Sequence, residues 1–150
     1  MKDALIQILM GTIGTLGFAI LFNIRGKKFW LAGLGGCLSW SLFLLLFPVL
    51  ESEVYRYFFC AVFAAAYSEI LARALKTPAT TFMMISLLPH IPGGALYRTM
   101  RHALNRSWQL CWESTLYTLK LALALALGIV AVLTVLSVVN KIVPPKKRSN

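Results

Sequence analysis

The chain has 150 residues, 59% of them hydrophobic and 13% charged, about half the charge fraction of roughly 25% carried by a soluble domain. With a mean hydropathy of +0.74, this excludes an ordinary water-soluble fold and makes lipid the main solvent. The net charge of +10 falls between apolar segments and in no nucleic-acid-reading motif, so it reads as bilayer topology and no nucleic-acid partner is expected.

The length allows one membrane domain over residues 1–150. The expected fold class is all-α, a polytopic bundle of four to five transmembrane helices. A bilayer core of about 30 Å takes about 20 apolar residues. Residues 4–24 supply the first uncharged run. Asp3 beside Lys2 before it, and Asn23-Ile24-Arg25 at its end, do not fit a cleaved signal peptide. The second run, 29–50, opens on Trp30 at an expected interface. The third, 57–75, contains Glu69 and Arg73. Small residues recur at helix-packing intervals: Gly11, Gly14 and Gly17, then Gly33 and Cys37, then Ala61 and Ala65. Cys37, Cys60 and Cys111 are odd in number and far apart, and read as packing residues.

The fourth apolar stretch, 77–97, is interrupted at 89–94. Thr77 is expected to cap a helix with Pro78 in its first turn. Pro89 and Pro92 then remove two amide donors, and Gly93-Gly94 permits backbone angles closed to other residues. Backbone groups freed at membrane depth survive only inside protein or beside water. After the break, ALYRTMRHALNRSWQLCW (residues 95–112) places Leu96, Met100, Leu104, Trp108 and Cys111 on one face, opposite Arg98, Arg101, Asn105 and Arg106. This predicts one basic amphipathic helix suited to the headgroup layer. The last span, 115–139, keeps Lys120 near enough to its start to snorkel. Its alternating LALALALG is read as helix, because an open strand edge cannot survive in lipid. A basic tail, 141–150, follows.

Basic residues divide nine to six between the two sides whether the fourth stretch crosses or forms a re-entrant hairpin. Either way the positive-inside rule puts Arg25, Lys27 and Lys28 in the cytoplasm. The compact basic tail favours five crossings.

Glu69 is the acid well inside an apolar segment, and Arg73 follows at i+4. That spacing suits an intrahelical ion pair and equally a contact on a transport path. His90 stands between two prolines, either as a neutral donor to a freed carbonyl or as a titrating gate. Asn23, Tyr97 and Arg98 are polar at helix ends, and Arg98 is suited to a bidentate carboxylate. No nucleophile elbow, nucleotide loop, zinc motif or acidic metal cluster is present, so neither an enzyme nor a cofactor is expected.

Four segments together resemble the threonine/serine exporter family: Gly17-Phe-Ala-Ile-Leu-Phe-Asn23; Glu69-Ile-Leu-Ala-Arg73; Lys76-Thr-Pro-Ala-Thr80; and Ile91-Pro-Gly-Gly-Ala-Leu-Tyr-Arg-Thr-Met100. The chain looks most like the family's stand-alone small membrane subunit, the YjjB-like type, over roughly residues 11–139. Where relatives often place proline soon after the Phe-Asn pair, this chain has Arg25. The resemblance implies a component of the bacterial inner membrane working with a larger membrane subunit of the same family. Threonine, serine or a dicarboxylate such as succinate would leave the cell on an ion gradient, without ATP. Transporters commonly bind substrate at broken helices, so Pro89, His90, Pro92, Gly93, Gly94, Tyr97 and Arg98, with Glu69, Arg73 and Asn23, are the expected substrate path. Two other readings stay open: a stabilising subunit that does not transport, and a small homodimeric multidrug exporter built around Glu69.

Overall fold

Six α-helices and one 3-10 turn make up residues 2–142, the part of the chain that the computed structural model describes. They are α1 (Lys2–Leu21), α2 (Lys27–Leu45), α3 (Glu53–Leu75), α4 (Ala79–Leu87), the 3-10 turn (Leu88–His90), α5 (Gly93–Leu104) and α6 (Trp108–Ile142). Four of them, α1, α2, α3 and α6, are long and apolar enough to cross a membrane. The fold is all-helical, as composition requires. Most of the expected basic tail lies outside the described residues.

Two local expectations are corrected. The amphipathic stretch is not one helix over residues 95–112. It stops at Leu104, where Arg106 takes a left-handed conformation (φ 54°) and the Ser107 amide reaches back to the His102 carbonyl at 3.0 Å. Trp108 and Cys111 then belong to α6, whose 35 residues span about 50 Å at ~1.5 Å per residue, more than a bilayer core. Nor does Thr77 cap α4. Lys76 closes α3 in a left-handed conformation, the Thr77 amide returns to the Ala72 carbonyl, and Pro78 becomes the cap residue.

The packing register fixes the direction of every helix. Gly11 lies against Trp40 and Gly36 against Thr15, so α1 and α2 are antiparallel. Cys60 Sγ donates to the Ser39 carbonyl and Tyr67 OH to the Leu31 carbonyl at 2.7 Å, so α2 and α3 are antiparallel as well. Between α3 and α6, Tyr117 pairs with Glu53, Gly128 with Ala61, and Asn140 with Arg73. Both sequences rise together, which makes these two helices parallel.

Ser86 lies beside Gly35 and His90 beside Ser39, so α4 and the turn run parallel to α2. Thr99 pairs with Thr118 at 3.4 Å, and Ala95 packs in one apolar cluster with Leu121 and Ala124, so α5 is antiparallel to α6. Therefore α4 and α5 point the same way: they are the two halves of one discontinuous helix.

Close approach at small residues holds the layers together. A Cβ on Gly128 would sit 2.7 Å from Ala61 Cβ and 2.7 Å from the Phe58 carbonyl oxygen, and one on Gly35 would sit 2.6 Å from the Tyr67 ring. Ala61, Ala64 and Ala65 are fully buried along α3. Helix α1 packs mainly on α2, the helices α2, α3 and α4 pack against one another, and α6 covers α3 and α5.

Candidate functional site

The discontinuity follows from its prolines. Pro89 offers no amide, so the α-helical ladder ends here; the Leu88 amide before it makes the tighter bond to the Ile85 carbonyl. Ile91 is extended (ψ 120°) and Pro92 caps α5. This change of course turns His90 into the protein.

His90 is fully buried, enclosed by the rings of Trp40, Phe43 and Tyr57 at 5.6, 5.7 and 6.0 Å between centroids. Its Nδ1 faces the Ser39 hydroxyl at 3.5 Å, the long limit of a hydrogen bond, and its Nε2 has no partner. One turn earlier, the fully buried Ser86 hydroxyl also lacks a partner, as do Trp40 Nε1 and Arg56 Nε. Arg56 lies over the faces of Phe43 and Phe47, 5.0 and 4.6 Å from the ring centroids. A dry, unpartnered polar atom costs about 1–3 kcal/mol. Four such atoms, on His90, Ser86, Trp40 and Arg56, are buried without a partner.

The expected path residues fall into separate places. Pro89 borders a small groove of about 140 Å³ against Gly11, Gly14 and Thr15 of α1. Gly93 and Gly94 are corrected: neither has a positive φ. They form the exposed first turn of α5, and a Cβ on either meets nothing within 4 Å. Their effect is to leave backbone bare at a helix start, not to permit a special conformation. Tyr97 and Arg98 are exposed on α5. Glu69 and Arg73 form their pair, 3.9 Å apart with side chains 24% and 53% exposed, and Arg73 Nη2 also donates to Asn140 at 3.3 Å. Asn23 stands at the α1–α2 turn. The break residues adjoin in sequence but face different surroundings, and Tyr97 and Arg98, expected at a helix end, lie in the middle of α5.

Sequence reasoning passed over Ser39, Trp40, Phe43, Arg56, Tyr57 and Ser86. The signal for two of them was legible: Ser39 and Ser86 are hydroxyls in the middle of apolar segments. The aromatic wall is set by α2–α3 register, which one sequence does not display. Among the described residues, no three His, Cys, Asp or Glu side chains converge as a metal site would require.

Residues 7–135 match the family model described as Threonine/Serine exporter, ThrE. The chain belongs to the threonine/serine exporter family. The matched region begins in α1 and ends in α6, so it includes the broken helix and the whole His90 enclosure. No curated protein and no solved structure matches the chain. Membership in the exporter family, together with four apolar helices of spanning length, makes this a multi-pass membrane protein with a role in export.

Proposed function

We propose that the chain is the small subunit of a two-component secondary exporter. It moves small carboxylate-bearing metabolites, threonine and serine or a dicarboxylate such as succinate, out of the cytoplasm across the bacterial inner membrane. The observation that carries this reading is the discontinuous helix α4/α5, whose joint holds His90 buried among aromatic rings with its Nε2 unpaired. Broken helices near the midplane are where secondary transporters bind cargo, with freed backbone and nearby polar groups as ligands.

In this reading α4 and α5 together make one crossing, so the chain crosses five times. The α1–α2 turn, with Arg25, Lys27 and Lys28, faces the cytoplasm, as do Arg73, Lys76 and Lys141. The α5–α6 corner, with Arg101 and Arg106, faces outward.

Exposure at the break supports a second component. Gly93, Gly94 and Ile91 at the break are exposed within the single chain, and irregular backbone at membrane depth requires a protein or aqueous neighbour. The larger membrane subunit of the same family is the proposed neighbour.

The test is efflux of labelled succinate, serine and threonine from cells lacking both subunits, with each restored singly and together. Export that needs both supports the reading. Wild-type export by the larger subunit alone would leave this chain a stabiliser or a bystander. Export of hydrophobic cations by this chain alone would favour the multidrug reading. Against that reading, Glu69 is neither deeply buried nor unpaired.

A further inference from the structure

We propose that the cavity between the α1–α2 turn and the start of α4 is an anion-binding vestibule that receives carboxylate groups at the foot of the broken helix. The cavity measures about 340 Å³, within the usual range of roughly 300–1,000 Å³ for small-molecule sites. Arg25 and Lys28 line it together with Asn23, Thr77 and Thr81, over an apolar floor of buried Phe82.

The lining contains two cations and no carboxylate. Among the described residues neither cation has an acidic partner. Lys28 is half-buried even so, an arrangement that favours an incoming anion.

Local geometry prepares the site. Asn23 adopts the left-handed conformation (φ 54°) that Asn tolerates. Its Oδ1 accepts from Arg25 Nε at 2.9 Å. That bond steadies the guanidinium while leaving its two terminal nitrogens for a bidentate oxyanion. Thr77 Oγ1 is buried without a hydrogen-bond partner, and Thr77 and Thr81 both line the cavity. No side chain caps α4, so its positive end adds to the field.

The position gives the site a purpose, which rests on the export reading. The vestibule opens at the end of α4 opposite His90, about 18 Å away along the helix and turn at their usual rises. A carboxylate held there waits at the cytoplasmic end of the route. A phosphate on an anionic lipid presents the same oxygens at a membrane interface, so the test separates the two sources.

The full-length chain is reconstituted in nanodiscs of phosphatidylcholine, with and without phosphatidylglycerol, and titrated with succinate while thermal unfolding is followed. Succinate is expected to stabilise the chain in pure phosphatidylcholine. The R25Q/K28Q double variant should bind about tenfold more weakly or worse, and Thr77→Val should lie between. Lys120→Gln, in the groove between α3 and α6, should match wild type.

Stabilisation by phosphatidylglycerol alone, still dependent on Arg25 and Lys28, supports the anion site and assigns it to lipid. Stabilisation that R25Q/K28Q and Thr77→Val leave unchanged, or none from either anion, overturns the proposal. Retained binding with no carboxylate efflux from cells would instead overturn the export reading and leave the vestibule standing.

Discussion

The imidazole Nδ1 of His90 faces the Ser39 hydroxyl at 3.5 Å across the contact between the broken helix and α2. On the other side of the ring, Nε2 is buried with no partner. One nitrogen is loosely tethered and the other is unsatisfied. His90→Phe keeps an aromatic ring in the enclosure but removes both nitrogens. It is expected to abolish efflux while the chain stays in the membrane at wild-type abundance. Ser39→Ala removes one weak hydrogen bond, worth about 1 kcal/mol, and should slow efflux about fivefold. Both are read by labelled efflux alongside quantification of the membrane fraction.

At the start of α5, side chains added to Gly94 find open space within the chain. Gly94→Leu is therefore expected to leave thermal stability unchanged and still abolish export, because it covers bare backbone that cargo or the larger subunit approaches. Pro92→Ala should abolish export by permitting a more continuous helix. Normal efflux from both would remove the break from the mechanism.

Gly128 behaves oppositely, since a Cβ there collides with Ala61 and the Phe58 backbone on α3. Gly128→Val should destabilise the chain by about 1–3 kcal/mol, the usual cost of overpacking. Gly14→Val, where nothing lies within 4 Å, should cost far less. Thermal unfolding of the two variants in one detergent makes the comparison.

The pair of Glu69 and Arg73 is partly exposed and 3.9 Å apart, and pairs of this kind contribute at most about 1 kcal/mol. Glu69→Gln should leave efflux within roughly twofold of wild type. A complete loss would move Glu69 onto the transport path.

Sidedness is tested with single cysteines in a chain whose Cys37, Cys60 and Cys111 are replaced by serine. Arg106→Cys should react with an impermeant maleimide added to intact cells, and Lys27→Cys only after permeabilisation. Labelling of both from one side would return the fourth segment to a re-entrant hairpin.

The spans were legible because lipid imposes a length and a polarity that a single sequence records. The break was legible too, since prolines 89 and 92 forbid a continuous ladder regardless of neighbours. The stop at Leu104 was hidden by periodicity: Trp108 and Cys111 continue the apolar stripe of α5, although Asn105-Arg106-Ser107 carries turn-forming residues. The enclosure of His90 and the vestibule at Arg25 were illegible for a different reason. Each is assembled from segments far apart in the chain, and only helix register brings Ser39 to His90 or Thr77 to Lys28.

The two halves of the discontinuous helix belong to different neighbours: α4 to α2 and α3, and α5 to α6. The segment from the 3-10 turn to Pro92 joins the two halves covalently, while α6 ties them through its packing on α3. Leverage applied at the outer corner, where α5 meets α6, would thus pivot about Pro89 and Pro92 and loosen the ring of aromatics around the imidazole first. The chain carries its own elbow, and the histidine sits in the crook of it.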